Sequence, residues 1–111
     1  MLEGEEKLRL LNLQHNFIRH IENIGHLKRL VFLDLYANCI EGICGLKELV
    51  SLRVLMLGKN RIQRVTGLET LSKLDVLDLH GNQVRVYVCA CVHACMFHVC
   101  VFLVCVFIPV S

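Results

Sequence analysis

The hydrophobic positions of the chain repeat one pattern in four copies, each beginning 22 residues after the previous one. In every copy, two leucines alternate with polar or mixed side chains, which predicts a short β-strand with one buried and one exposed face. A single asparagine follows each strand segment: Asn16, Asn38, Asn60 and Asn82. Because the period is constant, we expect an array of stacked repeats rather than a domain with a closed core.

Aliphatic side chains recur at every third position between each asparagine and the next strand. This spacing is typical of a chain that returns through turns, 3-10 segments or a short helix and directs one residue of each turn inward. The complete copies place Ile18, Ile21, Ile24, Leu27 and Leu30, then Ile40, Ile43, Leu46, Leu49 and Leu52, then Ile62, Val65, Leu68, Leu71 and Leu74 at these positions. In the fourth copy Val84 keeps the pattern, and Tyr87 falls where an aliphatic residue is due. We therefore assign residues 1–85 to the repeats, the last incomplete, and residues 86–111 to a separate tail.

The recurring asparagine has a predicted structural role. Where a strand ends and the chain turns inward, backbone groups lose their strand partners, and a buried unpaired group costs about 1–3 kcal/mol. A carboxamide side chain can donate and accept hydrogen bonds at the same time. We expect the four asparagines to stack into one continuous hydrogen-bonded column.

The pattern L-x-x-L-x-L-x-x-N-x-I-x-x-I-x-x-L-x-x-L from Leu8 to about Val84 resembles the short intracellular leucine-rich repeats typified by the regulatory subunit of protein phosphatase 1. This resemblance implies an α/β solenoid with a parallel β-sheet on the concave face and turns, 3-10 or short helices on the convex face. Three segments (residues 2–18, 32–36 and 74–83) more narrowly resemble the leucine-rich repeat subunit of the tubulin polyglutamylase complex. That resemblance implies a non-catalytic scaffold in a tubulin-modifying complex, located in the cytoplasm or associated with the cytoskeleton, cilium or centriole.

The concave face of such a solenoid is its usual interaction surface, and the residues that flank the inward leucines lie on it. The predicted partner-binding residues are Leu10, Phe32, Val54 and Val76 in a first column, Asn12, Asp34, Met56 and Asp78 in a second, and Gln14, Tyr36 and His80 in a third. Phe32, Tyr36 and Met56 would form an apolar and aromatic patch of the kind enriched at interface centres. Alternatively, the first column serves only to favour strand formation.

Charge and candidate catalytic residues narrow the function. The net charge of +2, with basic and acidic residues interleaved, does not indicate a nucleic-acid surface, which would show a clustered basic face. His80 and Asp78 lie two residues apart on one strand, but the motif places no nucleophile with them. We therefore predict a protein-binding module with no enzymatic activity and no cofactor.

Cellular location is suggested by the start of the chain and by its cysteines. The segment from Met1 to Lys7 is acidic and does not resemble a secretory signal, so we expect the repeats to lie inside the cell. In that setting a disulfide framework is not the default, either for Cys39 and Cys44 in the repeats or for the five cysteines of the tail.

The tail from Val86 to Ile108 carries no formal charge and is long enough to cross a bilayer as a helix of about 20 residues. One interpretation is therefore a tail-anchored membrane adaptor with cytosolic repeats. The histidines His93 and His98 near the middle of the segment disfavour insertion.

Two other interpretations of the tail remain. Its cysteines and histidines could ligate a metal, but their spacing fits no zinc pattern of the C-x₂-C type, so we expect no metal. From Val84 to Met96 the residues alternate between two sets that a DNA tract of alternating purines and pyrimidines can encode. We prefer the interpretation that the chain reads from an exon into a retained intron here and is a fragment or truncated isoform.

Overall fold

A computed structural model describes residues 5–87 of the chain. A 3-10 helix at Glu5–Lys7 precedes six strands: β1 (Leu10–Asn12), β2 (Phe32–Asp34), β3 (Val54–Met56), β4 (Arg64–Val65), β5 (Val76–Asp78) and β6 (Val86–Tyr87). Within this part of the chain, no helix is both long and apolar enough to cross a membrane. Residues 88–111, which carry most of the predicted membrane segment, the metal ligands and most of the read-through sequence, lie outside the described residues.

Four strands form one parallel sheet in the order β1, β2, β3, β5. Each strand residue pairs with the residue 22 positions further along, so Leu11, Leu33, Leu55 and Leu77 form one row across the sheet. The constant register follows from the constant repeat length, since each turn of the chain returns to the same height. The predicted leucine-rich repeat solenoid with a parallel concave sheet is confirmed.

Turns, rather than helices, form most of the outer side. The N–H of Leu27 donates to the carbonyl of Ile24 (3.0 Å), and the N–H of Leu30 donates to that of Leu27 (3.1 Å). The same two turns, each closed by a hydrogen bond between residues three positions apart, recur in the next two repeats. In addition, β4 and β6 form a small second parallel sheet that pairs Arg64 with Val86. The backbone therefore keeps the 22-residue period as far as β6.

The spacing of three directs its aliphatic residues into the core, as predicted. All of them are buried except Ile18 and Ile24 in the first repeat, and these two pack against the core as partly buried side chains. The first repeat stacks on only one described neighbour, which explains why Leu11 is only partly buried although Leu33 and Leu55 in the same row are fully buried. Burial in the array therefore comes from stacking of repeats.

A left-handed residue precedes every asparagine and turns the chain inward. His15, Ala37, Lys59 and Gly81 have φ values of 58°, 59°, 54° and 73°. This conformation costs a residue with a side chain about 1–2 kcal/mol. The N–H groups of the first three donate to the carbonyls of Tyr36, Gly58 and His80 in the following repeat (2.7–2.9 Å), which offsets part of that cost. The turn is therefore set by repeat stacking rather than by glycine.

Two glycines on the outer side are required by the backbone. Gly45 and Gly67 have φ values of 72° and 76°. A Cβ on Gly45 would collide with the carbonyl oxygen of Ile21, and one on Gly67 would lie 2.7 Å from that of Ile43. At both positions the backbone of one repeat lies directly against the backbone of the preceding repeat.

Candidate functional site on the concave face

The asparagines hold the edge of the concave sheet in place. The Nδ2 of Asn60 donates to the carbonyl oxygens of Leu35 (3.0 Å), Leu57 (3.1 Å) and Gly58 (3.1 Å). Its Oδ1 accepts the N–H of Ile40 (3.0 Å). Asn38 and Asn82 make the equivalent bonds one repeat before and one repeat after.

The predicted column differs from the structure in two respects. Each of the three inner asparagines bonds to backbone groups of its own repeat and of the preceding one, so the column is continuous through the backbone rather than from amide to amide. Asn16 is exposed and donates only to Leu13 (2.9 Å) and Gln14 (3.1 Å) of its own repeat. The difference arises because no described repeat precedes the first one.

The first and second predicted columns lie in register across the sheet. Phe32 pairs with Val54 and Val54 with Val76, and all three are half-buried, whereas Leu10 at the sheet edge is exposed. In the second column Asp34 pairs with Met56 and Met56 with Asp78. Neighbouring strands are about 4.8 Å apart, so each column is a continuous row of side chains.

Polar residues of the second column also cap their own strands. The Oδ1 atoms of Asn12, Asp34 and Asp78 accept the N–H two residues later, at 3.1, 3.0 and 3.0 Å. This local bond is the usual turn interaction of Asn and Asp. Met56 occupies the same position in the third repeat and cannot form it. The repeat pattern predicted a binding role for these residues but not their bond in the turn.

The third column contains a contact that spans two repeats. The rings of Tyr36 and His80 have centroids 5.6 Å apart, with an angle of 33° between their planes. Gly58 lies between them in sequence order and is buried. A Cβ there would lie 2.7 Å from His80 Cε1 and 3.0 Å from Tyr36 Cδ1. Because its φ is not positive, the backbone does not require glycine at this position, but the ring contact does.

Side chains of three further residues fix the orientation of these rings. Nδ1 of His80 lies 2.6 Å from Oδ1 of Asp78, whose side chain is only 11% exposed. His15 meets the Tyr36 ring at 5.6 Å, nearly perpendicular, and Nζ of Lys59 lies 5.9 Å from the centre of the Tyr36 ring. His15 and Lys59 were not among the predicted binding residues. Both occupy the left-handed position before the asparagine, where the histidine of the first repeat and the glycine of the fourth are residue types that favour this conformation and could have indicated the turn.

Of the three aspartates of the chain, two are bonded to a basic side chain. Asp75 binds the guanidinium of Arg53 through Nε (2.9 Å) and a terminal nitrogen. Asp78 binds His80. Asp34 uses Oδ1 for the N–H of Tyr36, and its Oδ2 has no hydrogen-bond or ion-pair partner within residues 5–87.

A hollow of about 750 Å³ lies beside the exposed residues Glu41, Arg61 and Arg64. None of the predicted concave residues lines it. Over the described range, no group of three or more His, Cys, Asp or Glu residues is placed to hold a metal ion. The concave face therefore remains the surface on which the predicted binding residues come together.

Comparisons with known proteins agree with the fold. No protein-family model matches the chain. It is 61% identical over 36 residues to human leucine-rich repeat-containing protein 49 and 66% identical over 32 residues to the mouse protein of the same name. These matches cover 32% and 29% of this chain but only 5% of each relative. An internalin from Listeria monocytogenes aligns with a TM-score of 0.67 and 32% identity, covering 71% of this chain and 23% of the internalin.

Proposed function

The chain is a leucine-rich repeat solenoid, and we propose that it acts as a protein-interaction module that binds a partner on its concave face. The observation that carries this proposal is the half-buried patch formed by Phe32, Val54, Met56 and Tyr36 in neighbouring repeats. Aromatic residues and Met are enriched at interface centres. The leucine-rich repeat relatives support a scaffold role, and such scaffolds are typically non-catalytic.

The contact between Tyr36 and His80 supports the same surface. A ring held on two sides loses little conformational freedom when a partner docks, and ordering a mobile side chain costs about 0.5–1.5 kcal/mol. Tyr36 is restrained by His15 on one side and by His80 on the other. The third column is therefore preorganised for contact with a partner.

The finer proposal concerns the partner. We propose subunits of a tubulin-modifying complex, with location in the cytoplasm and at the cytoskeleton, cilium or centriole. Its support is the sequence resemblance of residues 2–18, 32–36 and 74–83. The short matches to leucine-rich repeat-containing protein 49 are compatible with a scaffold, and their names describe only the repeats.

Site-specific photo-cross-linking in cells tests both levels of the proposal. A photoreactive residue at the concave position Val54 is expected to give a discrete cross-linked species. The same residue at Val50, an exposed position in the outer turns, is the matched control. The double change Phe32→Ala and Tyr36→Ala should remove the Val54 product without unfolding the protein, as checked by circular dichroism.

The outcomes separate the two levels. A Val54 product that persists in the double variant, or equal products at Val54 and Val50, contradicts concave binding. Mass spectrometry of the Val54 product identifies the partner, and a protein unrelated to tubulin modification contradicts the finer proposal alone.

A further inference from the structure

Asp34 lies in the concave patch at the end of β2. Phe32 precedes it by two residues within the strand, and Tyr36 follows it by two residues in the turn whose N–H the carboxylate accepts. Met56 is its partner on the next strand. All four side chains are half-buried. The result is a half-buried carboxylate with Met56 and Asn12 as register partners on the two neighbouring strands and with aromatic residues two positions before and after it.

Among the aspartates of residues 5–87, Asp34 is the one with no basic side chain bonded to its carboxylate. Arg53, just before β3, forms an ion pair with Asp75. Asp78 is hydrogen-bonded to His80. Lys59 lies against the Tyr36 ring. Oδ2 of Asp34 is free of protein partners within residues 5–87, although the side chain is partly withdrawn from water. A half-buried carboxylate of this kind gains more from a cation than a fully exposed one does.

We propose that a partner protein inserts an arginine side chain at Asp34, between Phe32 and Tyr36, when it docks on the concave face. This inference rests on the proposed function, because it names the chemistry of the partner at the same surface. Arginine fits better than lysine because its planar guanidinium can bind a carboxylate through two donors and stack on an aromatic ring at the same time. Arginine is also among the residues enriched at the energetic centres of interfaces.

The first repeat suggests a variant that removes the charge and keeps the fold. Asn12 occupies the position of Asp34 in β1, and its Oδ1 accepts the N–H of Gln14 as Asp34 accepts that of Tyr36. Asp34→Asn should therefore preserve the turn and lose only the negative charge. Glu69→Gln, at an exposed position in the outer turns, changes the net charge by the same amount and serves as the control.

The probe is a short peptide of alternating serine and valine with one arginine at its centre. Three control peptides have the same sequence except that lysine, citrulline or glutamate replaces the arginine. Binding to the full chain is followed by changes in backbone amide NMR shifts. We expect the arginine peptide to shift Phe32, Tyr36 and Met56, with affinity about tenfold higher than the citrulline peptide, as one charge-assisted hydrogen bond contributes. In Asp34→Asn that difference should disappear, whereas Glu69→Gln should retain it.

Each outcome bears on the proposal. Equal affinity of the arginine, citrulline and glutamate peptides, or an arginine preference that survives Asp34→Asn, overturns the inference. A lysine peptide that binds as tightly as the arginine peptide overturns the stacking component. Photo-cross-linking at Val54 distinguishes failure of this inference from failure of the proposed binding on the concave face. If Phe32→Ala and Tyr36→Ala remove that product and Asp34→Asn leaves it unchanged, the face binds a partner but not through an arginine at Asp34.

Discussion

Replacement of Asn60 by alanine tests whether the inner asparagines stabilise the array. The change leaves the N–H of Ile40 without its acceptor, because Oδ1 of Asn60 receives that hydrogen bond at 3.0 Å. Asn60 is 8% exposed and Ile40 is fully buried, so water cannot readily replace the amide. An orphaned buried N–H costs about 1–3 kcal/mol.

The three carbonyls that accept from Asn60 are affected less, since each keeps another donor. Leu35 O also accepts from Asn38 (3.0 Å), Leu57 O from Asn82 (2.8 Å), and Gly58 O from the N–H of Ala37 (2.9 Å). Adding a small cost for their weaker satisfaction, we expect Asn60→Ala to lower the free energy of unfolding by about 2–4 kcal/mol. This is a large part of the stability of an ordinary domain, about 5–15 kcal/mol.

Asn16→Ala is the matched control. Asn16 is exposed and bonds only to two carbonyls of its own turn, so its loss should cost less than about 1 kcal/mol. Both variants are measured by urea unfolding of the full chain at several protein concentrations. The comparison requires that the slope of the free energy of unfolding against urea concentration is the same in both variants. Equal destabilisation by the two changes would refute the assignment of the inner asparagines to inter-repeat bonding.

Three further predictions concern single contacts. Gly45→Ala should lower the free energy of unfolding by more than about 2 kcal/mol, because Gly45 has a positive φ and faces the carbonyl of Ile21 in the preceding repeat. The control Gly42→Ala, at a position with open space around it, should change the urea midpoint little. Gly58→Ala should change the free energy of unfolding by less than about 1 kcal/mol, because the lower entropy of the unfolded chain offsets the lost ring contact. It should nevertheless abolish the NMR cross-peaks between the Tyr36 and His80 rings. Arg53→Ala should lower the free energy of unfolding by less than about 1 kcal/mol, because the ion pair with Asp75 is exposed. This loss of stability should shrink in high salt. A loss that salt leaves unchanged contradicts an electrostatic origin.

The sequence predicted the fold well because the repeat period determines both register and burial. One set of spacings predicted the strand rows, the inward aliphatic residues and the concave columns, since a constant 22-residue turn stacks equivalent positions on one another. The choice among turns, 3-10 segments and helices on the outer side could not be made in advance, because a spacing of three suits all of them. The hydrogen bonds of the structure select turns.

The details of the candidate site were less predictable because they depend on backbone conformation and on contacts between different repeats. His15 and Lys59 contact Tyr36 from left-handed backbone positions, and a lysine such as Lys59 is not a residue type typical of that conformation. The contact of Tyr36 with His80 crosses a whole repeat and depends on the missing side chain of Gly58. A pairwise reading of neighbouring residues does not show such a contact.

The third repeat indicates which concave residues the fold itself requires. Met56 replaces the capping Asn or Asp of the other repeats, yet β3 keeps its register with both neighbours, and Lys59 keeps the left-handed turn at φ 54°. Asn60 also keeps its full set of bonds. A repeat can therefore form without the side-chain cap at the strand end. A capping carboxylate is thus not needed to build a repeat, so the charge of Asp34 can serve the contact with a partner arginine that we propose.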